Sequence, residues 1–161
     1  MTKLYVSRYS NKNLSESNAV KVGISLGMPK FRLGYKLEGT IYGLAPSRAI
    51  FNLPKEDFIR AYRSQLDRMG VEKIRKILSS FRYGEADEMV LLCYEDITDT
   101  TKKNNWCHRS IFADWWYEKT GEKVEEYRDS NTYAEKERKK EEERTNDGQI
   151  SGQLSLFSIW Q

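Results

Sequence analysis

The chain contains a single histidine, His108, placed between Cys107 and Arg109, and that tripeptide gathers three kinds of chemistry in adjacent positions. A thiol at a helix start beside an imidazolium can shed its proton and become a nucleophile. Imidazole suits general acid–base work near neutrality, so any such step that needs imidazole must use His108. Arg109 offers a planar fork of donors matched to phosphate or carboxylate. Upstream, Leu91-Leu92-Cys93-Tyr94-Glu95 adds a second thiol and a carboxylate able to orient or move a proton. Cys107, His108 and Glu95 are therefore candidate catalytic residues, and Arg109 and Cys93 candidate substrate- or anion-binding residues. The competing reading is structural: Cys107 as a small buried hydrophobe, with His108 and Arg109 capping and pairing locally. A metal site of Cys93, Cys107 and His108 is disfavoured because the ligands are few and adjacent residues seldom aim at one ion. No metal or cofactor is expected.

These residues have to be positioned by a fold. Met89 to Tyr94 is a continuous apolar run, as a strand buried on both faces of a parallel sheet requires, and it reads as the central strand. Leu4–Ser7 and Val20–Leu26 read as earlier strands, and Lys123–Tyr127 as the last. Pro54 opens a helix that carries Phe58, Tyr62, Leu66 and Met69 until Gly70 stops it, and a second helix presents Val71, Ile74, Leu78 and Phe81. After a turn at Tyr83-Gly84-Glu85 and the central strand, a third helix from about Cys107 to Lys119 buries Ile111, Phe112, Trp115 and Trp116 and ends at Gly121. Residues 28–52 show no period and read as a long loop. The fold class implied is α/β: a three-layer, mostly parallel Rossmann-like sheet with helices on both faces, plus a charged C-terminal helix and a short tail. In such sheets ligands sit beyond the carboxyl ends of the strands, where Glu95 and Cys107 to Arg109 fall.

The 161 residues divide into an α/β domain over 1–128, a charged helical spacer over 129–148 and an apolar tail over 149–161. Asn146-Asp147-Gly148 should end the spacer. With 32% charged residues, no apolar run of membrane-spanning length and only two cysteines, the chain reads as a soluble cytoplasmic protein whose cysteines stay as thiols. Oligomeric state is not legible. Residues 1–82 carry 16 Lys+Arg against 6 Asp+Glu and residues 83–161 carry 11 against 18, so a basic half is joined to an acidic one. A basic half attracts phosphate or nucleic acid, whereas the acidic half argues against uniform wrapping of DNA.

The run Leu91-Leu92-Cys93-Tyr94-Glu95 followed by Cys107-His108-Arg109, a helix and a short strand resembles the family called domain of unknown function 488. In that family a strand ending Leu-Leu-Cys-x-Glu precedes Cys-His-Arg, which implies shared roles for Cys93, Glu95, Cys107, His108 and Arg109. The resemblance covers Met89 to Tyr127 and is weaker from Leu4 to Leu78. The Asp96–Trp106 spacer is longer than the family's, and no Asp-Val-Arg motif stands upstream, so Ser7, Arg8 and Arg48 are the candidates there. The family brings no settled activity.

Gln153-Leu154-Ser155-Leu156-Phe157 is similar to the peptide by which bacterial and phage proteins dock onto the replication sliding clamp. Leu156 and Phe157 suit an apolar pocket and Gln153 its rim. The alternative is that the tail folds back on the domain. Together these features predict a DNA-maintenance or nucleotide-directed enzyme, hydrolytic or glycosyl-transferring, recruited to the clamp. The rival is a non-catalytic nucleotide- or anion-binding protein, including a phage-encoded one.

Overall fold

The computed structural model describes residues 2–81 and 86–159, those from 149 onward as helix backbone alone. The turn expected at Tyr83-Gly84-Glu85 lies outside the described residues. Five strands, β1 (Lys3–Arg8), β2 (Val20–Gly23), β3 (Gly39–Thr40), β4 (Glu88–Cys93) and β5 (Glu125–Glu126), form one sheet in the order β3-β2-β4-β1-β5. Every pairing is parallel, with Val6 opposite Leu91 and Val22 opposite the same residue on the other side. β4 is the central strand, and its unbroken apolar run follows from having a buried neighbour on each face.

The strand period of two decides which layer each residue joins. Val6, Val22, Met89 and Leu91 face one core, where they meet three helices: α1 (Lys55–Met69), α2 (Val71–Ser80) and α3 (His108–Thr120). Phe58, Tyr62 and Leu66 of α1, Ile74 of α2, and Phe112, Trp115 and Trp116 of α3 fill it. Gly70 takes φ +77° between α1 and α2, and Gly121 takes φ +75° after α3, backbone angles that favour glycine and so break each helix where the sequence places it. Val90 and Leu92 point to the opposite face.

That second face departs from the expected layer of helices. It is covered by Leu14, from a 3-10 turn over Lys12–Glu16, by Tyr127 and by Leu33, Tyr35 and Leu37 of the long loop. Only residues 9–19 join β1 to β2. A parallel crossover built on a full helix needs a dozen or more, so the turn and loop supply the cover instead. The parallel α/β, Rossmann-like arrangement holds, with α1, α2 and α3 gathered on one side.

A fourth helix, α4, runs from Tyr133 to Ile159 and passes through Asn146-Asp147-Gly148, where a stop was expected. An exposed glycine inside a helix costs only about 1 kcal/mol relative to alanine, and Arg138 spans Glu135 and Glu142 one turn to either side. The side chains of Gln153, Leu154, Ser155, Leu156 and Phe157 lie outside the described residues. None of the described helices is long and apolar enough to cross a membrane.

Candidate functional site at the carboxyl edge of the sheet

Because the strands are parallel, the ends of β2 and β4 open onto the same edge, and the N-terminus of α3 returns to it. There a cleft of about 350 Å³ lies between four chain segments. Ser25 and Gly27 line it from beyond β2, and Arg48, Phe51 and Asn52 from the long loop. Cys93, Tyr94 and Glu95 line it from the end of β4, and His108 from the first turn of α3. The walls are mainly apolar, with Phe51 58% and Tyr94 39% exposed, so aromatic surface is presented to whatever enters. Tyr94 is steadied by its hydroxyl, which donates to the Gly27 carbonyl at 2.7 Å, and by packing on the Tyr9 ring.

His108 is held tightly. Its Nε2 lies 2.6 Å from the Ile24 carbonyl oxygen, so that nitrogen carries the proton and donates it, leaving the Nδ1 lone pair 3.7 Å from Cys107 Sγ. The ring stands edge-on to Tyr62, whose hydroxyl donates to the Leu44 carbonyl. Burial, with a smaller contribution from the neighbouring Arg109 charge, holds the imidazole down at about 4 despite the Ile24 bond. At neutral pH His108 is therefore uncharged. The expected imidazolium stabilising a Cys107 thiolate is corrected accordingly.

Cys107 caps α3 and is 3% exposed; it faces the core rather than the cleft. Its sulfur is joined to that of Cys93, so the two cysteines are not separate thiols as expected. β4 ends where α3 begins, and this brings together two residues that are 14 positions apart. Cys93 Sγ also receives an N–H from Arg109 Nη1 at 3.3 Å and lies 3.5 Å from Glu95 Oε2.

Arg109 is placed differently from the anion receptor expected at a helix start. It is 2% exposed, and its donors are taken by Glu126 Oε1 at 2.8 Å, the Glu95 carbonyl at 2.7 Å and Cys93 Sγ. It cross-links α3, β4 and β5 from within. Two of the upstream candidates are also engaged. Ser7 is buried and accepts from Asn11 Nδ2, and Arg8 pairs with Asp129 at 2.7 Å and Asp96 at 3.6 Å and donates to the Asn131 carbonyl. Arg48 alone of the three lines the cleft, exposed to solvent.

Six of the predicted residues thus meet in and just behind the cleft wall: Cys93, Glu95, Cys107, His108, Arg109 and Arg48. Sequence reasoning missed Ser25, Phe51, Asn52, Tyr94 and Tyr62 as parts of the site. The first three sit in or next to aperiodic chain, and Tyr62 carried only the signal of a core position on α1. The polar stretch after Glu95 has a structural task as well: Asp96 accepts from the Tyr133 backbone N–H at 2.9 Å and Thr98 from that of Ala134 at 3.1 Å, which anchors the start of α4. Comparison of the chain with protein-family models, with curated proteins and with solved structures finds no match.

Proposed function

We propose that the protein is a nucleotide- or DNA-directed enzyme of hydrolytic or glycosyl-transfer type, with its substrate seated in the cleft between Arg48 and Glu95. The observation that carries this reading is the convergence, at one sheet edge, of a cation, a carboxylate and two exposed aromatic rings on a cavity of nucleotide size. Phe51 and Tyr94 suit a base by stacking. Arg48 suits a phosphate. Glu95 is the carboxylate that lines the cleft with open access, and it takes the proton-transfer or nucleophilic role that the tied ring of His108 and the buried sulfur of Cys107 do not fill. The resemblance to the domain of unknown function 488 family joins Cys93, Glu95 and the Cys-His-Arg turn in one site, which agrees with this assignment. The peptide Gln153–Phe157 supplies recruitment to a sliding clamp in the same reading.

The rival, a non-catalytic nucleotide- or anion-binding protein, draws support from the same tied imidazole, which removes the usual proton shuttle. Mass spectrometry of nucleotides and oligonucleotides incubated with the full chain separates the two. An enzyme yields a product with a broken glycosidic or phosphoester bond, and Glu95→Gln abolishes it while the fold is retained. Recovery of bound but unaltered ligand favours the rival, and absence of both binding and turnover sinks the nucleotide reading. Clamp capture that survives Phe157→Ala would remove the recruitment step.

A further inference from the structure

We propose that Cys93, Cys107 and His108 form a site for a thiophilic divalent ion, zinc foremost, with its remaining coordination position directed into the cleft. This goes beyond the nucleotide reading and does not depend on it. The ligating atoms of the three residues lie within 4.8 Å of one another, two sulfurs and one nitrogen, the donor set zinc prefers.

The geometry behind the donors is also that of a metal site. A ligating histidine almost always donates its second ring N–H to a carbonyl or carboxylate, which fixes the tautomer and aims the other nitrogen at the ion. His108 does this with the Ile24 carbonyl, and its Nδ1 is turned toward Cys107 Sγ at 3.7 Å. With Zn–S of ~2.3 Å and Zn–N of ~2.1 Å, a tetrahedral ion holds such a pair roughly 3.6 Å apart. The Cys93 and Cys107 Cα atoms are 7.6 Å apart, wider than the span of about 4.4–6.8 Å usual for a direct bridge, so the backbone leaves room for an ion between the separated sulfurs. Arg109 Nη1 donates to Cys93 Sγ and would offset thiolate charge behind the ion.

Three protein ligands and one open position describe a catalytic rather than a structural zinc. Cys93 and His108 both line the cleft, as does Glu95, whose Oε2 stands 3.5 Å from Cys93 Sγ. The joined and the metal-bound forms exclude each other. Loading therefore needs both sulfurs reduced and deprotonated.

The test uses the full chain, reduced with a phosphine, titrated with zinc and freed of excess ion before elemental analysis. One zinc per chain is expected, with a loss of at least tenfold in affinity for Cys93→Ser, Cys107→Ser and His108→Gln. Cobalt loading of the wild type guards against misfolded variants, because thiolate-to-cobalt charge-transfer bands with tetrahedral d–d bands report the ligand set directly. Arg48→Ala, which removes the cation on which the nucleotide reading relies, should retain zinc in full, so failure of that reading leaves this proposal standing. Failure of the reduced wild type to take up zinc, uptake undiminished in the cysteine variants, or cobalt spectra without thiolate bands would each overturn it.

Discussion

Arginine occupies two kinds of place on the carboxyl edge of this sheet. Arg8 and Arg109 are drawn inward and their guanidinium donors are spent on Asp129, Asp96 and Glu126 and on backbone carbonyls. Arg48, on the loop across the cleft, is solvated and faces a cavity. A buried guanidinium survives only if its donors are matched, and once matched it is a cross-link with nothing left to offer a ligand. Position at a helix start, which pointed to Arg109, therefore says less about ligand binding than whether the charge is already answered. The inward arginines hold the edge in shape, and the outward one is available to an anion.

The inward half is tested most severely at Arg109. Arg109→Ala removes the tie between α3, the end of β4 and Glu126, and leaves the Glu95 carbonyl without its donor. Breaking a buried pair typically costs about 3–5 kcal/mol. The Glu126 side chain is 41% exposed and can rehydrate, which places the loss near the low end, about 3 kcal/mol. Arg48→Ala should stay within about 0.5 kcal/mol. Urea denaturation measures both, and similar losses for the two variants would erase the contrast.

A pH dependence sharpens it further. The folded-state pKa of His108 is held at about 4, below the ordinary 6.5, so the unfolded chain binds the proton more readily. The stability linked to this group is whole above about pH 6.5 and is lost as the pH falls toward about 4. That shift amounts to at most about 3 kcal/mol. Asp96, on the inward side, has its pKa lowered against the opposing effect of burial, by bonds from Thr98 and the Tyr133 backbone and by the Arg8 charge. Its contribution is present above the normal carboxylate range and disappears only below it. With chelator present, urea midpoints measured down the pH scale should first fall across the histidine window and then again in the acid. His108→Gln should flatten the first fall and leave the second. An unchanged first fall in that variant would show that His108 is not the group responsible.

Periodicity was a good guide to what lies along an element and a poor one to what meets across elements. Phe58, Tyr62 and Leu66 on α1, the paired Trp115 and Trp116 on α3, and the unbroken apolar β4 each announce a buried face, because one repeating geometry fixes every side chain in the run. β3 and the turn at Tyr42–Leu44 gave no such signal: they are two and three residues long and sit inside a loop. The meeting of Cys93 with Cys107 depends on where β4 stops and α3 starts in space, which spacing along the chain does not encode. Arg109 misled for a related reason. Its residue type promises an anion, yet the pleat of β4 and the short β5 put Glu95 O and Glu126 within reach first. α4 runs on through Gly148 and Gly152 because a solvated helix loses only about 1 kcal/mol at each glycine, and the turns before them carry ion pairs.

Arg48 itself should show the mildest change. If its charge is unanswered in the free protein, removing it costs almost nothing in folding and is felt only when an anion binds. A hydrogen bond to a charged group contributes about 1.5–3 kcal/mol, and solvent exposure at the cleft mouth favours the lower figure. Since about 1.4 kcal/mol is tenfold in affinity, Arg48→Ala should weaken a mononucleotide by roughly tenfold in calorimetric titration. Arg48→Lys should recover part of that, since it restores the charge without the fork. The same titration on Arg8→Ala supplies the counterpart, because Arg8 lies outside the cleft and is committed to Asp129 and Asp96. A nucleotide affinity that falls as far in Arg8→Ala as in Arg48→Ala, with both variants folded, would mean that the anion is held on the inward side and that the two arginine environments have been assigned the wrong way round.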